Sequence, residues 1–203
     1  MLNRFRDFWA GVITPVARLL LRWKVSPDAV TVVGTLGVAA GALIFFPRGQ
    51  LLTGVLVITA FVFSDLLDGT MARLSGQSSS WGAFLDSTLD RIGDAAIFGG
   101  LAMYYVGPGD SEPLAALAIY CLVMGLITSY ARARAESLGM EAKGGLAERA
   151  DRLVAILFMT GLSAIFHLPI LLILTLAVLA LASTVTVVQR ILMVRSQALA
   201  GRR

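Results

Sequence analysis

The stretch LVAILFMTGLSAIFHLPILLILTLAVLALASTVTVVQ, residues 153–189, contains no Asp, Glu, Lys or Arg. One helix over these 37 residues would reach about 55 Å, nearly twice the hydrocarbon core of a bilayer. The stretch is therefore read as two membrane spans, broken near His167-Leu168-Pro169. Working back toward the N-terminus, residues 113–131 form another apolar span, and Gly107-Pro108-Gly109-Asp110 breaks the chain before it. A third span covers residues 81–106, and a second begins at Leu51 after the turn Pro47-Arg48-Gly49-Gln50. The first covers residues 29–46, behind the helix-start chemistry of Ser26-Pro27-Asp28. The prediction is an all-α membrane protein with six transmembrane helices. A composition that is 57% hydrophobic and 15% charged agrees and excludes an ordinary soluble domain.

The first 24 residues read differently. Phe5, Phe8, Trp9, Val12, Val16, Leu19, Leu20 and Trp23 recur at helical spacing, with Arg4, Arg6, Arg18, Arg22 and Lys24 around them. This is the pattern of an N-terminal amphipathic interfacial helix lying on an anionic leaflet. Residues 1–24 are thus one unit and residues 25–203 a six-helix transmembrane domain. With the N-terminus inside, sixteen of the seventeen Lys and Arg residues fall on or near the cytoplasmic side. Only Arg48 is distant, so the positive-inside rule selects cytoplasmic N- and C-termini. The single cysteine, Cys121, excludes a disulfide framework. The single histidine, His167, reads as a loop or interfacial residue.

Against this apolar background stands the register Asp65-x-x-Asp68-Gly69-x-x-Ala72-Arg73, followed after eight residues by Gly82-x-x-x-Asp86-x-x-x-Asp90. Ionisable groups in a membrane segment point to function. Three- and four-residue spacing puts each pair of acids on one helix face, and two antiparallel helices can aim all four at one point. Four adjacent carboxylates repel unless cations neutralise them. An all-oxygen donor set suits a hard divalent ion, Mg²⁺ or Mn²⁺, and two ions per site suit the clamping of a phosphoanhydride. Gly69 and Gly82 leave room beside the acids for a ligand or a neighbouring helix. Asp94 extends the Asp90 face as either a support for the metals or a partner of a basic residue.

This motif resembles the signature of the CDP-alcohol phosphotransferases at every fixed position. The resemblance extends over the six-span layout and the N-terminal helix. It implies a membrane homodimer using a CDP-linked lipid, CDP-diacylglycerol, with a metal site open to the cytoplasm. It also implies Asp65, Asp68, Asp86 and Asp90 as metal ligands and Asp90 as general base. Gly69, Ala72 and Arg73 would hold the CDP moiety. Pro27-Asp28-x-x-Thr31 resembles the family's nucleotide-side element, in which Asn is common where this chain has Asp28.

A second, basic cluster bears on the acceptor: Arg132, Arg134, Lys143, Arg149, Arg152 and Arg190. Converging guanidinium forks suit a dianionic phosphomonoester. The segments 129–136, 144–152 and 188–190 resemble the phosphatidylinositol phosphate synthase branch of actinobacteria. That resemblance implies Ser129, Arg132, Arg134, Arg152 and Arg190 as an inositol-phosphate pocket, in an integral plasma membrane protein of a bacterium. Glu148 reads as a helix-start or arginine-orienting acid. The expected reaction transfers the phosphatidyl group to myo-inositol 3-phosphate, with no nucleic-acid partner. Rival readings are a phosphatidylglycerophosphate synthase using glycerol 3-phosphate and, in another class, a divalent-cation transporter.

Overall fold

A computed structural model describes residues 13–76 and 79–200, with the side chain of Asp65 outside the description. The first half of the amphipathic pattern of residues 1–24, residues 1–12, therefore lies outside the described residues, which open with a helix at 13–22 (α1). The chain continues as α2 (Pro27–Phe45), a 3₁₀ turn (Phe46–Arg48), α3 (Leu51–Val62), α4 (Ser64–Ser75) and α5 (Ser80–Val106). It ends with α6 (Glu112–Ser137), α7 (Arg149–Phe166) and α8 (Pro169–Ala200). Among the described residues every regular element is helical.

Four segments are long and apolar enough to cross a membrane: Pro27–Arg48, Leu51–Ser75, Glu112–Ser137 and Pro169–Ala200. The two other long helices are diluted by charge. α5 carries Asp86, Asp90, Arg91 and Asp94 in its first half, and α7 opens with Arg149, Asp151 and Arg152. The uncharged tract does divide where expected. His167 takes a left-handed backbone (φ 54°) as the cap of α7, and Pro169 opens α8 at a position that needs no amide donor.

The six longer bodies close into a ring. α2 packs on α3 and α5, α5 on α6, α6 on α8, α8 on α7, and α7 returns to α3. The interior is one apolar cluster that includes Val38, Ala42, Phe46, Val55, Ile58, Phe98, Leu101, Ile156, Leu172 and Leu176. Large apolar side chains such as Leu36, Leu56, Val154, Val178 and Leu181 point outward, which in water would be a liability and in lipid is not. With lipid outside, close packing of small residues must hold the helices together. α2 shows how: a Cβ at Gly34 would fall on the Ser64 hydroxyl, and one at Gly37 would fall inside the Phe61 ring.

One difference from the sequence reading matters for function. The second span is not one straight helix but α3 and α4, interrupted at Phe63, with a tight turn from the Leu66 amide to the Phe63 carbonyl (3.2 Å). Asp65 and Asp68 therefore stand in the first turns of a new helix. The dipole of α4 favours anions there.

Candidate active site

The starts of α2 and α5 and one face of α4 meet at one end of the ring. Ser26 caps α2 by accepting the Ala29 amide at 3.2 Å, which sets Pro27, Asp28 and Thr31 on its first turns. Ser79 caps α5 by accepting the Gly82 amide at 3.0 Å. From there Gly82, Asp86 and Asp90 descend one helix face at four-residue steps. α4 contributes Asp68, Gly69 and Ala72. Between these elements lies a cleft of about 810 Å³, whose lining includes Pro27, Asp28, Thr31, Asp68, Gly69, Ala72, Gly82, Asp86 and Asp90. Residues dispersed over more than sixty positions thus share one wall system.

Specific contacts tie the cleft together. Thr31 and Asp68 are both buried, and the Thr31 hydroxyl donates to Asp68 Oδ2 at 2.6 Å. The bond joins α2 to α4 and holds one signature carboxylate in place. Asp28 Oδ2 accepts from the indole Nε1 of Trp81 at 3.0 Å, joining α2 to α5 across the mouth. Asp90 Oδ1 meets Arg149 Nη1 at 2.8 Å, and its Oδ2 lies 3.4 Å from Arg91 Nη2. Arg149 also lines the cleft, although its reading from sequence was only as one of several basic residues.

Asp94 resolves in favour of a basic partnership. It is 4% exposed, with Arg149 Nε at 3.2 Å, Arg152 Nη2 at 3.8 Å and Arg91 Nε at 3.9 Å. Arg73, by contrast, does not line the cleft. Its side chain is exposed and turns back along α4 to donate to the Thr70 hydroxyl at 3.2 Å. One turn of helix offers that local partner more readily than a distant wall does.

The proposed acceptor residues divide into two groups. Arg190 donates to the Thr128 carbonyl at 2.6 Å and to the Gly144 carbonyl at 3.1 Å. Arg152 donates to the Ala147 carbonyl at 3.1 Å, and its guanidinium packs against Gly125. Ser129 donates to the Gly125 carbonyl at 3.2 Å. These three therefore gather around residues 125–129 of α6, and the two arginines hold the segment between α6 and α7. Arg132 pairs instead with Glu136 at 3.0 Å, and Arg134 lies 3.3 Å from the Ser137 hydroxyl, both at the exposed end of α6. Glu148 is the cap of α7 in a reciprocal capping box with Asp151, which is the helix-start role.

The oxygen-only donors Asp68, Asp86 and Asp90 fit a hard divalent cation. Among the described residues, no three acidic, histidine or cysteine side chains close on a single point that would hold one. Asp65, the fourth signature acid, has its side chain outside that description.

A ring of apolar helices with carboxylates walling a polar cleft at one end defines an integral membrane protein with a functional site in that cleft. The profile of the CDP-alcohol phosphatidyltransferases matches residues 24–188, and the chain belongs to that family, whose members depend on divalent metals. It is 52% identical to a phosphatidylinositol phosphate synthase of Streptomyces avermitilis, covering 97% of this chain and 84% of that one. It is also 52% identical to one of Cutibacterium acnes, covering 96% and 98%. Among solved structures it resembles the Mycobacterium tuberculosis phosphatidylinositol phosphate synthase with CDP-DAG bound. There the TM-score is 0.88 at 42% identity, covering 91% of this chain and 94% of that one. The same enzyme in complex with manganese and citrate gives a TM-score of 0.84 at 42% identity, covering 90% and 88%.

Proposed function

We propose that this chain transfers the phosphatidyl group of CDP-diacylglycerol to myo-inositol 3-phosphate, giving phosphatidylinositol phosphate and CMP. The observation that carries the reading is the single cleft lined jointly by Asp68, Asp86, Asp90 and the Pro27-Asp28-x-x-Thr31 element. In this reading Asp65, Asp68, Asp86 and Asp90 hold Mg²⁺ or Mn²⁺, two ions per site, which when bound neutralise charge on the diphosphate and the leaving CMP. Thr31 keeps Asp68 oriented. Pro27, Asp28, Gly69 and Ala72 serve the CDP side, and Arg73 joins them only by swinging away from Thr70.

The inositol 1-hydroxyl oxygen bonds to the β-phosphorus, the bond from that phosphorus to the CMP oxygen breaks, and Asp90 accepts the hydroxyl proton. A carboxylate is a weak base toward an alcohol, so the proton moves only as the new bond forms. Ser129, Arg152 and Arg190 hold the acceptor phosphate in this reading, and Arg132 and Arg134 reach it only by leaving Glu136 and Ser137. In support, Arg152 Nη2 is buried with no hydrogen-bond partner among the described residues. A phosphate oxygen satisfies such a donor.

The membrane arrangement belongs to the same proposal. All six bodies of the ring, α3 taken together with α4, span the plasma membrane of a bacterium, residues 1–24 form an interfacial helix, residues 25–203 form the transmembrane domain, and both termini are cytoplasmic. The active unit is a homodimer.

The test is an acceptor panel with purified protein, labelled CDP-diacylglycerol and Mg²⁺. Lipid product and CMP are expected with inositol phosphate, and chelation should abolish both. Product with glycerol 3-phosphate alone would make the chain a phosphatidylglycerophosphate synthase. Mn²⁺ flux into liposomes with no CMP release would replace the enzyme by a transporter.

A further inference from the structure

Asp94 is the buried centre of an arginine cluster that the proposed reaction leaves unexplained. It stands one helical turn beyond Asp90 on α5. Arg149, the first residue of α7, bridges the two acids with separate nitrogens, Nη1 to Asp90 at 2.8 Å and Nε to Asp94 at 3.2 Å. The Nε end is set in a buried polar cluster with Arg152 and Arg91 around the same carboxylate. The Nη end stands in the cleft wall. A planar fork fixed at one edge presents its other edge in a defined place, which a flexible lysine does not.

We infer that Arg149, tethered to Asp94, is a positioning residue that competes with the divalent cation for Asp90 and sets how tightly that cation is held. The inference rests on the reading that the signature acids hold such an ion. A carboxylate oxygen shared by a guanidinium at 2.8 Å and a divalent ion brings two positive centres within a few Å, and their repulsion opposes both contacts. Loading of the ion and release of the Nη end of Arg149 are therefore one coupled event, while the Nε end stays on Asp94. The arrangement keeps Asp90 compensated at all times and makes ion binding weaker than the acids alone would make it.

The experiment is an Mn²⁺ titration of full-length protein without lipid substrate or acceptor, following free Mn²⁺ by electron paramagnetic resonance. Deleting one positive charge on the order of 6 Å from a divalent ion is worth about tenfold in affinity even at water's dielectric constant. Arg149→Gln should accordingly bind Mn²⁺ about tenfold tighter than wild type, with circular dichroism melting showing an intact fold. Arg149→Lys, which keeps the charge and loses the fork, should fall between the two. Unchanged or weaker Mn²⁺ binding in a folded Arg149→Gln protein would overturn the inference. If that variant does not fold, unchanged binding in Arg149→Lys would do the same. Wild-type protein that binds no Mn²⁺, or an Asp86→Asn variant that binds as wild type does, would instead remove the underlying assignment of the acids.

Discussion

The indole of Trp81 shows how much a single donor can decide at the mouth of this cleft. Its ring is largely exposed and is of little use to the core, yet its Nε1–H holds Asp28 Oδ2 at 3.0 Å. A charge-assisted bond of this kind contributes about 1.5–3 kcal/mol when buried and less where solvent competes. Trp81→Phe keeps the aromatic surface and removes only the donor. If Asp28 serves the nucleotide, the KM for CDP-diacylglycerol should rise roughly three- to tenfold, as a loss of about 1 kcal/mol implies. The KM for the acceptor should stay as it was. Steady-state kinetics with each substrate varied in turn would decide it, and equal changes in both constants would count against Asp28. Neither the Trp81 bond to Asp28 nor the place of Arg149 in the cleft wall was legible from sequence. Each acts through a partner more than fifty residues away, and spacing along one helix carries no trace of such a pairing. The acids were legible because the signature pairs repeat at helical spacing, which already puts them on common faces.

At the scale of elements, the close approach of α2 to the junction of α3 and α4 brings Thr31 onto Asp68. Gly34 lies three residues beyond Thr31, and a Cβ there would collide with the Ser64 hydroxyl. Gly34→Ala should push the two helices apart and destabilise by about 1–3 kcal/mol, the usual range for overpacking. Thermal inactivation in detergent should occur at visibly lower temperature, with Mn²⁺ affinity also reduced as the Thr31–Asp68 bond lengthens. Adding Ser64→Gly to that variant should recover a large part of both losses; no recovery would mean the glycine acts elsewhere. The interruption at Phe63 that makes this junction was hidden in the sequence. The apolar run ends at Phe63 and Ser64-Asp65 follow it without Gly or Pro, so no helix breaker announces the interruption. By contrast, the end of α7 at His167 and the start of α8 at Pro169 could be read directly, because a proline and the length limit of a bilayer both act locally.

For the whole molecule, the charged turns of α5 and α7 decide how these two helices meet the bilayer. The 18 residues of α7 reach about 27 Å, enough for a hydrocarbon core only if Arg149 and Arg152 sit at its edge. Charge on these two bodies is concentrated at the end that faces the cleft, and their other ends are apolar. Both can therefore span with their charged turns at the cytoplasmic surface and their arginines engaged by Asp90 and Asp94. That orientation puts Asp110 and Lys143 on opposite sides of the membrane. Cysteine labelling in intact cells can tell, because the native Cys121 is buried at 1% exposure and should remain silent to a membrane-impermeant maleimide. Asp110→Cys should react from outside the cell, whereas Lys143→Cys should react only after the membrane is opened. If both react from the same side, α6 does not cross as drawn. The six-span arrangement, and with it the cytoplasmic placement of the carboxylate cleft, would then have to be abandoned.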